Sequence, residues 1–593
     1  MKNLVTSIYR KDIDGIRAIA VLSVIFFHLG LLPNGYLGVD VFFVISGYLI
    51  IKIIHSEVNE NHFSIINFYI RRIRRIIPLV LFTSLIALIT GYIVMLPDDF
   101  ENLCQSVFAT NFFSNNVLLY LTTDSYWDIV NDYKPLMHTW SLGIEEQFYI
   151  ILPLIFVFFN SKKIKYSFYF LIILSIISLV LFCFNDNIAL TFYMLPFRFF
   201  ELAVGGIGAI FFNQKKINNK LGVLLLFLLI AILISVNINI HPKVFLLLTV
   251  IITTGLLVSN KNPHKIISFL LENQIVVVIG KISFSLYMWH QILLAFARYF
   301  LVEKILTTHI LIFLFILFTI SILSYYFIEQ FFRDKNKINT KKLILLVGSV
   351  FILISCLSFY GYKIGGIVRD VPELGLKKSD IRKNNGSVKR NIHIEYNAKI
   401  YDLDKNFSDK SKIHVLIIGN SFARDFANIL LESEVGQKIE ISYVFDINNC
   451  PDIDERIKFA SYIFFSELDM KEYIGYRNKF KIKTDKVWNI GTKNFGTNNG
   501  IFYNKKRDSN YCNQHTKIDL KYINKNNLLK EQWGKKYIDL INAIIDKENT
   551  VPVFSNECQF ISQDCKHLTK AGAIYFSNKI EINKIFKINN FGN

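Results

Sequence analysis

After the leading Asp14 and apart from Ser23, two polar side chains stand in the apolar stretch DGIRAIAVLSVIFFH, residues 14–28: Arg17 near its start and His28 at its end. Eleven residues of helix rise about 16 Å and turn through about three turns plus 20°. Arg17 and His28 therefore lie on one stripe at different depths. An imidazole, with an ordinary pKa near 6.5, can act as general base toward a hydroxyl or a thioester. A charge near a bilayer centre costs at least about 2.5 kcal/mol, so such groups face a bundle interior or a wet cavity. Arg17 could also snorkel to the headgroups, and His28 could be a satisfied core histidine; spacing alone leaves both open.

Other polar residues stand in similarly apolar surroundings. GYLGVDVFFVISGYLI (35–50) carries Asp40 and Ser46, and MHTWSLGIEEQFYI (137–150) carries His138, Glu145 and Glu146. LPFRFFELAVGG (195–206) holds Arg198 and Glu201 three apart, the spacing of an ion pair on one helical face. GKISFSLYMWHQ adds His290 and YYFIEQFFR adds Glu329. So many polar groups imply a polar, partly hydrated chamber. A basic run, RRIRR at 71–75, contains Arg72 and Arg75. Guanidinium pairs bidentately with phosphate, although such a run also serves as a topology signal.

The C-terminal part offers a second set. In KIHVLIIGNSFARDFANILL (412–431), a short apolar strand ends at Gly419 and an amphipathic helix opens at Ser421. A serine at such a turn is exposed at the sheet edge, where backbone N–H groups can stabilise an oxyanion. It is also the place of an ordinary N-cap. Further on, SQDCKHLTKAGA sets Asp564 and His567 three apart, a pair able to supply a base and the group that fixes its tautomer.

The elements that must position these residues follow from hydropathy. A hydrocarbon core about 30 Å thick needs roughly 20 apolar residues per helix. Eleven windows approach that length: 13–32, 36–55, 76–96, 142–160, 166–184, 191–212, 221–237, 243–259, 276–302, 308–332 and 343–362. With the N-terminus in the cytosol, RRIRR, KKIK (162–165), KKINNK (215–220), KNPHK (261–265) and RDKNKINTKK (333–342) fall on the inside, while the outer loops hold Lys134, Lys243 and Lys304. This is the positive-inside pattern. Much of the net charge of +19 lies in these loops, which argues against a nucleic-acid partner. The N-terminus lacks a cleavable signal peptide's small-residue site. An odd number of spans places the polar C-terminal part outside the cytosol. Cys450, Cys512, Cys558 and Cys565 all lie there; four cysteines allow three pairings, and Cys558–Cys565 with Cys450–Cys512 is the least strained guess.

Arg17 ten residues before His28's predecessor, GVDVFFVISGYLI, RRIRRIIP, TWSLGIEEQFY and RFFELAVGG together resemble the membrane acyltransferase type 3 family over about residues 8–335. The resemblance implies ten spans that move acyl groups, usually acetyl, from a cytosolic acyl-CoA onto extracytoplasmic glycans. It implies that His28 is the catalytic histidine, Arg17 its partner, and Arg72 and Arg75, with Pro78, the site of the CoA phosphates. Glu145 would orient the imidazole or hold the acceptor, and Arg198 would belong to the substrate-binding set. Over roughly 412–585 the chain resembles the SGNH hydrolase fold, a flavodoxin-like α/β sandwich. That assigns Ser421 as nucleophile, His567 as base and Asp564 as the orienting acid. The family's Gly-Asp-Ser is here Gly-Asn-Ser, with Asn420. VWNIGTKNFGTNNG offers Gly491 and Asn494 for the oxyanion, where the family's spacing is commonly one residue shorter.

The expected fold class is a multi-span α-helical membrane domain, ten helices plus one linking helix, followed by an α/β SGNH domain. The expected division is 8–335 for the acyltransferase domain, 336–411 for the eleventh span and linker, and 412–593 for the exported domain. The expected function is O-acetylation of a cell-surface polysaccharide, foremost lipopolysaccharide O-antigen, with peptidoglycan or exopolysaccharide as alternative acceptors. A membrane-anchored deacetylase or a transporter is the alternative of another class. Acetyl-CoA is the expected donor, with no permanently bound cofactor and no metal. The partners are the polysaccharide and the lipid bilayer, and the expected location is a bacterial inner membrane with the C-terminal domain periplasmic.

Overall fold

A computed structural model describes residues 9–122, 129–159, 164–212, 218–235, 241–260, 263–300, 307–379, 392–506, 509–562 and 564–586. They form two compact units. One comprises the helices up to Tyr360; the other begins at Gly361 and also includes Val94–Glu101.

Each of the eleven apolar windows overlaps helix, but 191–212 is divided between Ile188–Tyr193 and Leu195–Phe211, and 276–302 between Gln274–Lys281 and Ser283–Arg298. Among the described residues, eight helices are long and apolar enough to cross a membrane. Gln274–Lys281 and Ser283–Arg298 would form a ninth span if taken together, although they bend by 65° at their junction. Asn219–Ile234 is apolar but has only 16 residues. Lys11–His28 carries Lys11, Asp12, Asp14 and Arg17 in its 18 residues, which lowers its hydropathy. Large apolar side chains point outward from these helices, as with Phe184 at 83% and Phe158 at 82% exposure. In water that surface would be costly; in lipid it is matched. The protein is therefore membrane-integral.

The helices that frame the polar residues pack closely. A Cβ on Gly47 would lie 1.7 Å from the Leu202 carbonyl oxygen, and one on Gly205 would lie 2.2 Å from that of Val44. Glycine thus lets Gly38–Asn59 and Leu195–Phe211 meet backbone to backbone, a packing mode that membranes favour because small residues permit close approach.

The second unit is an α/β domain. Its parallel sheet has the order β2-β1-β3-β4-β6, with β1 Ile413–Ile418, β2 Ile439–Val444, β3 Tyr462–Ser466, β4 Val487–Ile490 and β6 Tyr537–Ile538. Both faces are covered, which is why residues 415–418 of β1 read as a continuous apolar run. The order is that of the flavodoxin-like doubly wound sheet, whose ligands sit beyond the carboxyl ends of β1 and β3, at the switch point. β5 His515–Lys517 pairs antiparallel with β7 Thr550–Pro552.

That antiparallel pairing corrects the cysteine expectation. The disulfide joins Cys512 to Cys558, with Cα atoms 5.1 Å apart. The ladder continues from β5–β7 through Val553 N–H to the Gln514 carbonyl at 3.0 Å, which brings the chain on either side of it together. Neither of the expected pairs, Cys558–Cys565 and Cys450–Cys512, is the one formed. The seven-residue spacing of Cys558 and Cys565 was a poor guide, because the fold, not proximity in sequence, sets which sulfurs meet.

Candidate active site

The sequence between β1 and the next helix dictates a tight exit. Gly419 has φ +138°, and a Cβ there would meet Ser466 Oγ at 2.3 Å, so glycine is required. Asn420 then caps the Ser421–Leu431 helix: its Oδ1 accepts from the Phe422 N–H at 3.0 Å. The asparagine that departs from Gly-Asp-Ser thus keeps an N-cap acceptor. Ser421 is left as the first helical residue, half-buried, at the β1/β3 switch point.

His567 Nε2 lies 2.9 Å from Ser421 Oγ, and its Nδ1 lies 2.7 Å from Asp564 Oδ2. Asp564 Oδ1 accepts from the N–H groups of Lys566 at 2.6 Å and His567 at 2.8 Å. Burial works to raise the Asp564 pKa, but the His567 ring and these two N–H groups outweigh it and hold the carboxyl well below the usual carboxylate range. An ionised Asp564 fixes the Nδ1–H tautomer, which leaves Nε2 as an acceptor for the serine proton.

A second charged group supports this loop. Asp425, one helical turn after Ser421, accepts from the Leu568 N–H at 2.8 Å through Oδ2. Lys493 Nζ lies 2.7 Å from the same oxygen, and both side chains are 1% exposed. Arg424 donates to Asp425 Oδ1 through Nε and Nη2, at 3.2 and 2.9 Å. Burial raises the Asp425 pKa, yet Lys493 and Arg424 bring it below its ordinary value; burial lowers that of Lys493.

In the first unit two cavities hold the remaining residues. One, of about 90 Å³, is lined by Arg17, Arg72, Arg75, Glu145, Ser46 and Tyr149, among others. Glu145 accepts from Ser46 Oγ and from the Tyr149 hydroxyl, each at 3.2 Å. The basic run divides by helical face. Arg71 pairs with Glu57 at 3.0 Å, and Arg74 is buried, donating to the carbonyls of Phe332 at 3.0 Å and Ile338 at 2.9 Å. Arg72 and Arg75 are the two that face the cavity.

The other cavity, of about 520 Å³, is lined by His28, Asp40, His138, Trp140, Arg198 and Lys243, among others. Arg198 lies 2.7 Å from Asp40 and 3.0 Å from Glu201, so the pair expected from spacing is present and is joined by a second carboxylate. The His290 ring centroid lies 5.3 Å from that of His28 and 5.2 Å from that of His138. Among the described residues, no group of three or more His, Cys, Asp or Glu could hold a metal ion.

The family model described as "Acyltransferase domain" matches residues 10–329, more than half of the chain. The chain belongs to the acyltransferase domain family. The protein named "Putative O-acetyltransferase SAS0844", from Staphylococcus aureus strain MSSA476, is 33% identical over 354 residues, 55% of this chain and 58% of its own length. The protein named "O-acetyltransferase OatA", from Staphylococcus aureus strain NCTC 8325 / PS 47, is 31% identical over 357 residues, again 55% and 58%. The chain thus spans somewhat over half the length of the curated relatives it matches. No solved structure matches.

Within the acyltransferase domain, the structure brings Arg17, Arg72, Arg75 and Glu145 to one cavity and His28 and Arg198 to another. In the α/β domain it brings Ser421, His567 and Asp564 into one hydrogen-bonded chain. It engages Asn494 elsewhere: Oδ1 accepts from Gly496 N–H at 2.9 Å, and Nδ2 reaches the Cys565 carbonyl at 3.4 Å. Sequence reasoning missed Tyr287, which lines both cavities of the acyltransferase domain, and the Asp425–Lys493 pair. A signal for the latter exists: Lys493 follows the apolar strand β4 by three residues, and Asp425 falls on the Ser421 face of its helix.

Proposed function

We propose that this protein is an O-acetyltransferase that moves acetyl from cytosolic acetyl-CoA to hydroxyls of a cell-surface polysaccharide. The observation that carries the reading is the Ser421–His567–Asp564 chain, at 2.9 and 2.7 Å, in a polypeptide whose other half belongs to the acyltransferase domain family. The relatives named O-acetyltransferases support the choice of acyl group.

In this reading Arg72 and Arg75 hold the CoA phosphates, with Arg17 and Glu145 beside them. His28 acts as general base while a carrier hydroxyl at the larger cavity attacks the acetyl carbon; the C–S bond breaks, CoA leaves as the thiol with the proton His28 took, and the carrier holds acetyl as an ester. The α/β domain is an SGNH-type domain in which His567 Nε2 takes the Ser421 proton as the serine oxygen bonds the acetyl carbon, then gives that proton to the carrier oxygen as the carrier's ester bond breaks. A sugar hydroxyl then attacks the acetyl-serine, His567 taking its proton and passing it to the Ser421 oxygen as the serine ester bond breaks. Asp564 holds the imidazole in the required tautomer throughout. The Lys and Arg asymmetry supports a cytosolic N-terminus and an extracytoplasmic α/β domain in a bacterial inner membrane.

Lipopolysaccharide O-antigen is the first acceptor to test and peptidoglycan the second. The experiment is mass spectrometry of surface glycans from cells expressing the wild type, His28→Asn or Ser421→Ala. Acetyl groups are expected on one glycan with the wild type and on none with either variant. Acetylation that survives in His28→Asn overturns the relay, and glycans unchanged by the wild type overturn the function. A deacetylase would keep its activity without His28.

A further inference from the structure

The arginine-lined cavity and the His28 cavity share two lining residues, Val39 and Tyr287. Tyr287 is held at both ends. Its hydroxyl donates to the His138 carbonyl at 2.9 Å and is 2.7 Å from Ser141 Oγ, a residue of the arginine-lined cavity. Its ring lies 5.2 Å from that of His138, 5.3 Å from that of His290 and 6.1 Å from that of Phe42. His290 Nδ1 faces the Tyr287 carbonyl at 2.6 Å and so must donate to it, which ties the backbone at the same residue. Tyr287 is 9% exposed.

The two cavities thus share a boundary that includes the Tyr287 ring, held by its hydroxyl, and Val39. An acyl group carried from the arginines to His28 has to cross it. We infer that Tyr287, with Val39, is the constriction through which the acyl group passes and that it restricts the donor to short acyl chains. The inference rests on the acyl-transfer reading above. A ring held by two hydrogen bonds and three aromatic neighbours has little room to turn aside. Each methylene beyond acetyl then has to displace packed atoms, and one methylene in a well-formed apolar pocket discriminates by about 10- to 200-fold.

The test uses the full-length protein in membranes from cells that carry the surface glycan, supplied with radiolabelled acetyl-CoA, propionyl-CoA or butyryl-CoA, and counts label in the glycan fraction. The wild type is expected to favour acetyl over butyryl by about 100-fold or more, two methylenes at the lower end of that range. Tyr287→Ala should cut the preference by about 10-fold or more. Tyr287→Phe, which removes the hydroxyl latch and keeps the ring, should retain most of it. Val39→Ala gives an independent reading at the same constriction, and should also lower the ratio if Tyr287→Ala does not accumulate. A wild type that uses butyryl-CoA as well as acetyl-CoA overturns the inference. So does an unchanged ratio in Val39→Ala and in any Tyr287→Ala protein that still transfers acetyl. Absence of label from every donor with the wild type sinks the acyl-transfer reading itself, and this inference with it.

Discussion

Asp425→Asn is the most informative single change in the α/β domain. It keeps an oxygen to accept from Leu568 N–H but removes the countercharge of Lys493, whose ammonium sits 1% exposed, 2.7 Å from the lost carboxylate and 3.8 Å above the Phe422 ring. Breaking one partner out of a buried ion pair costs about 3–5 kcal/mol, because the other charge stays buried. Lys493→Met should cost less, since Asp425 keeps Arg424 at 2.9 Å and the Leu568 N–H at 2.8 Å. The double variant removes both charges and should be more stable than Asp425→Asn alone, with a coupling of about 1–3 kcal/mol. With a urea slope of about 2 kcal/mol per molar, Asp425→Asn should lower the midpoint by roughly 2 M. Pulse proteolysis of the full-length protein in membranes across a urea series, followed through a C-terminal tag, reads that midpoint. The pH dependence has a definite sign. Burial lowers the Lys493 pKa below its unfolded value near 10.4, so the unfolded chain binds the proton more tightly. The deficit of Asp425→Asn is then largest near neutrality and shrinks as pH rises toward about 10. A midpoint within about 0.5 M of wild type, or a double variant no better than Asp425→Asn, refutes the reasoning.

Two further outcomes follow from the same domain. Asp564, held below its ordinary pKa, contributes stability that is fully present above its unfolded pKa of about 3.9 and is lost as pH falls through the folded value. The gap in urea midpoint between wild type and Asp564→Asn should therefore be constant from about pH 6 to 8 and narrow below about pH 4; a gap that widens on acidification refutes the assignment. Replacing Cys512 and Cys558 together with serine removes a cross-link spanning 46 residues, worth about 4 kcal/mol by chain-entropy reasoning. Reduction should lower the wild-type midpoint to that of the double variant and leave the variant itself unmoved. Serine at Cys450 should change neither, and a loss there equal to that of Cys512 would mean a different pairing.

Local patterns were legible because local physics writes them. Most apolar windows became a single helix because a run of that length satisfies its own backbone in lipid, while 276–302 broke into two. Gly419-Asn420-Ser421 read as a strand-to-helix turn because glycine and an N-capping side chain are demanded by the turn itself. Asp564 and His567 read as a pair because three residues of chain suffice to join them. What stayed hidden depends on convergence of distant segments. Nothing in the spacing of RRIRR separates Arg74, tied to carbonyls more than 250 positions away, from Arg72 and Arg75. Lys493 looks like one of many lysines until Asp425 is brought to it across the sheet. The pairing of Cys512 with Cys558 follows from β5 meeting β7, and Tyr287 looked like one more aromatic residue until two cavities were found to share it.

The glycine contact between Gly38–Asn59 and Leu195–Phe211 marks a stiff part of this bundle. Two backbones already touching, and pinned by the Asp40–Arg198–Glu201 cluster, have no slack to take up. Tyr287 instead stands on Ser283–Arg298, just past a 65° elbow with Gln274–Lys281, where helical continuity is interrupted. One side of the bundle is thus a rigid post, and any side chain added at Gly47 or Gly205 would force two whole helices apart and draw Asp40 away from Arg198.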